Sequence, residues 1–218
     1  MRTVRVPIGR AELEGDLRTA ERPGAVILFA HGSGSSRHSP RNRYVAEALG
    51  HGGFATLLLD LLTPDEERAD MRTGHLRFDI GLLAERLAIA TDWLRHDSLM
   101  SGLHVGYFGA STGAAAALVA ASERSDIVFA VVSRGGRPDL AGAALRGVAA
   151  PTLLIVGGKD VPVIAFNREA LPSLPAESRL EIIPGATHLF EEPGALEEVA
   201  RLARGWFERY AIDRQSAA

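Results

Sequence analysis

The stretch Gly109-Ala110-Ser111-Thr112-Gly113 lies between an apolar, strand-like run at residues 103–108 and an alanine-rich, helix-like run at residues 114–121. A G-x-S-x-G pattern between a strand and a helix is typical of a nucleophile elbow, a sharp turn that exposes a serine hydroxyl. Glycines flank the serine because side chains at those positions would collide with neighbouring backbone. The following helix points its N-terminal N–H groups at the serine, which favours negative charge there. The stretch therefore predicts Ser111 as a nucleophile.

Apolar runs typical of strands recur along the rest of the chain, at residues 25–30, 55–59, 103–108, 127–132, 152–156 and 179–183. Continuous apolar runs of this length are typical of parallel strands that are buried on both faces. Residues 80–94 and 196–210 each place apolar side chains along one face of a helix. This alternation predicts an α/β fold with a mostly parallel central sheet and helices on both faces. Residues 3–8 alternate in polarity and predict an edge strand or hairpin, with residues 11–17 as its partner.

Composition limits the classes of function. The chain has 218 residues, which predicts a single domain over residues 1–218, and its net charge of −3 argues against an electrostatic nucleic-acid or membrane binder. It has no cysteine, which excludes disulfides and thiolate chemistry, and no His/Asp/Glu cluster has convincing metal spacing. We therefore expect neither metal nor cofactor. The N-terminus lacks an apolar leader and no apolar run approaches 18 residues, so a cytoplasmic protein is expected, whose oligomeric state stays open.

The carboxyl ends of the strands are where such sheets bind ligands. The first buried run ends in His31-Gly32-Ser33-Gly34-Ser35, a glycine-rich turn that can expose backbone N–H groups. We predict an oxyanion hole from the N–H of Thr112 and that of Gly32 or Ser33. A flexible turn and a phosphate-binding loop are the alternatives, although the G-x-G-x-x-G pattern and the lysine of a P-loop are both missing. His31 itself is expected to bond nearby backbone.

Two further strand ends supply an acid and a base. Asp160 follows the run at residues 152–156, and His188 follows the last run and is the only histidine after Ser111. The order serine, acid, histidine is that of a hydrolase triad, in which the acid orients the histidine. Asp139 follows the preceding strand and is an alternative acid, but it is interpreted as a helix N-cap. Asp160 is predicted to be the orienting acid.

Together these motifs resemble the α/β-hydrolase superfamily, and within it the small, capless dienelactone-hydrolase-like group. The resemblance covers about residues 4–210 and implies Ser111 as nucleophile, Asp160 as acid and His188 as base. It also implies an oxyanion hole from Thr112 and the Gly32-Ser33 turn. Dienelactone hydrolases proper use a cysteine nucleophile, which this chain lacks. The dienelactone substrate is therefore not carried over with the fold.

The resulting hypothesis is a serine hydrolase of a small-molecule ester or thioester. An acyltransferase on the same scaffold and a non-catalytic binding protein are the alternatives. Only seventeen residues, 134–150, lie where many such hydrolases insert a cap domain, so we expect an open site without a cap.

The substrate's acyl part is predicted to carry a negative charge. The basis is three arginines placed after strands, which we expect to converge over Ser111: Arg37, Arg134 and Arg137. Pairing of these arginines with the acidic residues around 65–70 is an equally good interpretation. Residues 63–74 are expected to form a solvated loop.

Overall fold

The computed structural model describes residues 1–21 and 23–215, and its strands form one mixed sheet. The strands are β1 (Arg2–Ile8), β2 (Ala11–Arg18), β3 (Val26–Ala30), β4 (Ala55–Leu59), β5 (Val105–Ala110), β6 (Val128–Arg134), β7 (Thr152–Gly157) and β8 (Ser178–Ile183). They lie in the order β1-β2-β4-β3-β5-β6-β7-β8. β3 to β8 are parallel, whereas β2 runs antiparallel to both β1 and β4. The predicted α/β class is confirmed.

The helices cover both faces of the sheet. They are α1 (Pro40–His51), α2 (Pro64–Thr73), α3 (Ile80–His96), α4 (Thr112–Glu123), α5 (Val161–Ala170) and α6 (Ala195–Gln215), with 3₁₀ segments at Leu76–Phe78, Pro138–Gly147 and Leu171–Ser173. α3 and α4 pack on one face, where Leu87 and Leu118 are fully buried. α1 and α6 pack on the other, where Leu49 and Phe207 are fully buried. Because both faces are covered, the central strands are apolar at nearly every position.

The N-terminal hairpin follows the polarity pattern of its sequence. In β1, Val4 and Val6 are buried, whereas Thr3 and Arg5 are exposed. Its turn contains Gly9 with a φ of 71°, a conformation that glycine adopts without steric cost. The predicted hairpin is confirmed.

The expectation of a loop at residues 63–74 is wrong, because α2 occupies most of this segment. Thr63 is its N-cap, and the Thr63 hydroxyl accepts from the Glu66 N–H while the Glu66 carboxylate accepts from the Thr63 N–H. Pro64 stands in the first turn and Gly74 ends the helix in a left-handed conformation. These are the start and stop signals of a helix, and they outweigh the high charge of the segment.

The connection from β6 to β7 is short, as predicted. It contains the 3₁₀ segment Pro138–Gly147, and no cap domain stands over the carboxyl edge of the sheet in the described residues. Asp139 lies inside the first turn of this segment and Arg137 is the N-cap, so the interpretation of Asp139 as an N-cap is wrong by two positions. Among the residues that the model describes, no helix is long and apolar enough to cross a membrane.

Candidate active site

Ser111 occupies a strained turn between β5 and α4. Its φ of 52° and ψ of −121° lie in a region that non-glycine residues rarely adopt. A Cβ at Gly109 would stand 2.4 Å from the Ala114 Cα, and one at Gly113 would stand 2.4 Å from the carbonyl oxygens of Ala30 and His31. Both glycines are therefore required sterically, as the sequence predicts.

The turn is held by backbone hydrogen bonds to the end of β6. The Ser111 N–H donates to the Arg134 carbonyl at 3.2 Å, and the Ser111 carbonyl accepts from the Arg137 N–H at 3.2 Å. Ser111 is the N-cap residue of α4, yet its hydroxyl makes no capping hydrogen bond. The hydroxyl is therefore not committed to the helix.

The β3–α1 loop packs directly against Ser111. A Cβ at Gly32 would lie 3.0 Å from the Ser111 Cβ, which brings the backbone of this loop close to the nucleophile candidate. The Ser33 N–H donates to the Thr112 side-chain oxygen at 2.9 Å, so this amide is already used. Of the two loop donors predicted for an oxyanion hole, the geometry therefore favours Gly32 over Ser33. The bond from Ser33 to Thr112 is a connection that the sequence did not suggest.

Asp160 and His188 meet as predicted. The Nδ1 of His188 lies 2.6 Å from the Asp160 Oδ2, and the Asp160 side chain is only 12% exposed whereas that of His188 is 41% exposed. The His188 ring rests on Gly135, whose φ is 53° and where a Cβ would lie 3.3 Å from the ring. Gly135 follows Arg134 directly, so His188 stands beside the turn that carries Ser111.

The loops that carry Asp160 and His188 are held together by close backbone packing. A Cβ at Gly157 would lie 2.5 Å from the carbonyl oxygens of Ala186 and Thr187. The Glu192 carboxylate accepts from the Thr187 N–H with both oxygens, each at 3.1 Å. The β7–α5 and β8–α6 loops therefore place Asp160 and His188 as one unit.

Asp139, the alternative acid, is engaged elsewhere. Its two carboxylate oxygens accept from the Arg137 guanidinium at 2.7–3.2 Å, and that guanidinium stacks 4.4 Å from the centre of the Phe166 ring. Of the two carboxylates considered for this role, Asp160 is therefore the one in contact with His188.

The three arginines expected to converge over Ser111 are not brought together. Arg37 is bound to Asp60 through its backbone N–H and Nη1, and its Nη2 lies 2.6 Å from the Glu14 carboxylate. Arg137 is neutralised by Asp139. Arg134, which is 8% exposed, pairs with no carboxylate in the described part of the chain. The three-arginine anion pocket is therefore corrected: two of the three side chains neutralise neighbouring acids.

His31 has a structural role in the loop, as expected. Its Nε2 accepts from the Leu61 N–H at 3.2 Å, and its Nδ1 lies 3.0 Å from the Gly32 carbonyl. A ring that accepts at Nε2 is neutral and carries its proton on Nδ1, which then donates to Gly32. Burial lowers the pKa of His31 and favours this neutral form.

Asn167 holds the loop that follows β6, a role that the sequence did not suggest. It is fully buried in α5, and its Nδ2 donates to the Gly136 carbonyl at 2.9 Å and to the Val163 carbonyl at 2.7 Å. It therefore fixes the loop on which the His188 ring rests. The indication in the sequence is the Gly135-Gly136 pair after a buried strand, because the backbone of this pair needs a polar partner from another element.

A cavity of about 290 Å³ lies between the β3–α1 loop and α2, next to Thr112. Its charged lining contains three carboxylates and one guanidinium, from Asp60, Glu67, Asp70 and Arg77. The remaining walls include the Gly32 backbone and the Leu83 side chain. Among the described residues, no group of three His, Asp or Glu side chains is placed to hold a metal ion.

Comparison with known proteins agrees with this architecture. The model of the dienelactone hydrolase family matches residues 15–210. The crystal structure of a dienelactone hydrolase from Anabaena variabilis is 63% identical, with a TM-score of 0.94 over 96% of this chain and 97% of that one. Est1E from Butyrivibrio proteoclasticus, 16% identical, shares the fold with a TM-score of 0.79 over 97% of this chain and 99% of its own.

A longer protein of Mycobacterium tuberculosis, provisionally named a phosphoribosyl transferase, is 58% identical over 204 residues. The match covers 94% of this chain but 45% of the relative, so the chain spans less than half of that protein. The family match extends over most of the chain, and the same fold recurs in the solved structures. The chain belongs to the dienelactone hydrolase family.

Proposed function

We propose that this protein is a serine hydrolase that cleaves a carboxylic ester or thioester through an acyl-Ser111 intermediate. The observation that carries the proposal is the 2.6 Å contact between His188 and Asp160 beside a serine held at a φ of 52°. Strained backbone at the end of a strand, next to a histidine with an ordered carboxylate, is the arrangement that activates a serine.

The first half of the reaction forms the acyl-enzyme. Because Nδ1 of His188 faces Asp160, its Nε2 is the atom left to act as a base. It takes the proton of Ser111 as the serine oxygen attacks the carbonyl carbon. The N–H groups of Thr112 and Gly32 stabilise the tetrahedral oxyanion. The bond to the leaving alkoxide or thiolate then breaks, and His188 returns the proton to that group.

The second half releases the acid. Water gives a proton to His188 and attacks the acyl carbon, and the bond to the Ser111 oxygen then breaks as His188 reprotonates the serine. Asp160 stabilises the imidazolium in both halves without taking a proton itself. Since the site lacks a cap domain in the described residues, water reaches the acyl-enzyme directly.

The cavity beside Thr112 is the proposed subsite for one part of the substrate. Asp60 pairs with Arg37 and Asp70 pairs with Arg77, so Glu67 leaves the lining with a net negative charge, which suits a neutral, hydroxyl-bearing or cationic group. Any anionic group of the substrate would therefore lie elsewhere.

The names of the relatives bear on this proposal in different ways. The Anabaena protein is called a dienelactone hydrolase, and a lactone is a cyclic ester, so the name is consistent with ester cleavage. The transferase name belongs to a protein more than half of which has no counterpart in this chain. The proposed reaction therefore follows from the chain's own residues and not from that name.

The test is a panel of esters, thioesters and amides of varied charge, assayed with the unmodified protein and with Ser111→Ala, together with a fluorophosphonate probe. We expect turnover of esters or thioesters and probe labelling, both lost in Ser111→Ala. Faster transfer to an added alcohol or amine than to water would instead indicate an acyltransferase. Neither turnover nor labelling would indicate a non-catalytic protein and would refute the proposal.

A further inference from the structure

Arg134 is a buried cation that has no countercharge among residues 1–21 and 23–215. It is the last residue of β6 and is 8% exposed. Its Nη2 lies 3.4 Å from the Asn42 Oδ1, its guanidinium is 5.9 Å from the centre of the Phe190 ring, and its buried Nε has no acceptor among the residues that the model describes. A neutral amide and an aromatic ring do not neutralise a full positive charge.

A second arginine makes this environment more positive. Burial, and then the nearby charge of Arg41, lower the pKa of Arg134 to about 10, so it is still charged at neutral pH. The buried Nε of Arg41 also lacks an acceptor within the described part of the chain. The Nη1 of Arg41 lies 3.4 Å from Glu191, whose side chain is 64% exposed. This solvated carboxylate pairs with Arg41, so Arg134 stays without a countercharge among the described residues.

Arg134 and Arg41 lie at the N-terminus of α1. Arg41 and Asn42 are its second and third residues, and the positive end of the helix dipole adds to the field of the arginines. Pro40 has no N–H, and the Asn42 N–H donates to the Ser39 hydroxyl at 3.4 Å. Arg134 and Arg41 therefore provide most of the donors at this end of the helix.

Burying an unpaired charge is unfavourable, so it persists where a ligand supplies the opposite charge. We propose that Arg134 and Arg41, with Asn42 positioning the Arg134 guanidinium, form a binding site for the phosphate or carboxylate group of an anionic substrate. Planar guanidinium groups match the paired oxygens of such groups. An incoming oxyanion would compete with Glu191 for Arg41.

The location connects this anion site to the reaction. The Arg134 carbonyl accepts from the Ser111 N–H, and the next residue, Gly135, supports the His188 ring. Assigning the anion to the substrate rests on the proposed function, whereas the binding of an anion does not.

Binding is tested first, in the Ser111→Ala protein, where no turnover occurs. Thermal unfolding is measured in inorganic phosphate and in chloride at matched ionic strength. We expect phosphate to raise Tm, because it binds the folded state. Adding Arg134→Met should abolish this rise and should raise Tm in phosphate-free buffer, since the unpaired charge is gone. Adding Arg146→Gln instead removes an exposed positive charge elsewhere and should leave the phosphate effect unchanged.

No phosphate effect in Ser111→Ala, or an equal effect after Arg134→Met, overturns the site. If Arg134→Met does not fold, Arg41→Gln replaces it and should weaken the phosphate effect at least threefold in apparent affinity. An unchanged affinity in Arg41→Gln also overturns the site.

Whether the anion that binds this site is part of the substrate is tested with two matched esters in the unmodified protein. One ester has a neutral acyl chain, and the other has an acyl chain that ends in carboxylate. If the anion belongs to the substrate, phosphate should raise KM for the anionic ester alone. Arg134→Met should then remove the preference for that ester. Equal inhibition of both esters, or of neither, would overturn the assignment to the substrate. Failure of both esters to turn over would count against the proposed hydrolase function, while the phosphate result would still decide the anion site.

Discussion

Arg37 and Arg134 both follow strands at the carboxyl edge of the sheet, yet their surroundings are opposite. Arg37 is surrounded by the carboxylates of Glu14, Asp16 and Asp60, which neutralise it. Arg134 is more buried and contacts only the amide oxygen of Asn42 among hydrogen-bond acceptors in the described residues. Arg37 ties the β3–α1 loop to β2 and β4, as a structural ion pair does. The positive charge of Arg134 has no countercharge among the described residues, so an anionic ligand could bind there.

The same contrast separates two aspartates. Asp139 is neutralised by Arg137, whereas Asp160 faces the imidazole of His188. The unpaired charge of Arg134 and the strained backbone of Ser111 therefore lie next to each other. Fully paired charges, such as those of Arg37 and Arg137, surround these two residues. This difference, rather than the presence of charge, distinguishes the groups of the proposed active site.

The largest expected effect concerns the two aspartates. Asp160→Asn should lower kcat on the order of 10⁴-fold, because the amide no longer holds His188 in the required tautomer. Asp139→Asn, the matched control, should change kcat less than about threefold. Steady-state kinetics on a neutral ester measures both. The reverse ranking would mean that the contact with His188 does not identify the acid.

The next effect is on stability. Arg37→Met removes the cation that pairs with Glu14 and Asp60, whereas Asp16 keeps Arg43, and we expect it to lower the free energy of unfolding by about 3 kcal/mol. Arg134→Met should raise it by about 1 kcal/mol in phosphate-free buffer, because burial of an unpaired charge is removed. Urea denaturation gives both values. Equal destabilisation by the two substitutions would abolish the contrast between these arginines.

The strain at Ser111 predicts a smaller effect. Ser111→Gly should be more stable than Ser111→Ala by about 1–2 kcal/mol, because glycine adopts a φ of 52° without a Cβ clash and alanine does not. Both variants lack the hydroxyl, so the comparison isolates the backbone. Equal unfolding midpoints would show that the turn is not strained.

The smallest effect is a pH dependence from His31. Because its pKa is lowered by burial, the unfolded chain takes up a proton at this residue before the folded protein does. The stability contributed by neutral His31 is fully present above its ordinary pKa of 6.5 and is lost as pH falls below that value. Urea midpoints from pH 8 to pH 5 should therefore fall less in His31→Gln than in the unmodified protein. Parallel pH profiles of the two proteins would contradict this.

The sequence predicted the parts of the structure that depend on local patterns. Buried strands are continuous apolar runs, and the elbow needs glycines at Gly109 and Gly113, so fold class and the position of Ser111 could be derived directly. The contact of Asp160 with His188 followed from strand ends meeting at one edge. The α2 helix was missed because its polar composition was given more weight than its capping box.

The fate of the arginines could not be predicted from local sequence. Arg37 is paired by Glu14 and Asp60, which lie 23 residues away on either side, so the pairing depends on the sheet order. The isolation of Arg134 depends on which face of β6 it occupies and on the approach of α1. Such contacts between distant segments decide whether a charge is structural or available to a ligand.

The acyl-Ser111 intermediate can be trapped by rapid acid quench of the protein with a 4-nitrophenyl ester, followed by peptide mass spectrometry. We predict that the acyl group is found on the peptide that contains Ser111, that it forms as fast as the burst of nitrophenol, and that it is absent in Ser111→Ala. Turnover without an adduct, or an adduct on another residue such as Ser33, would contradict the proposed mechanism.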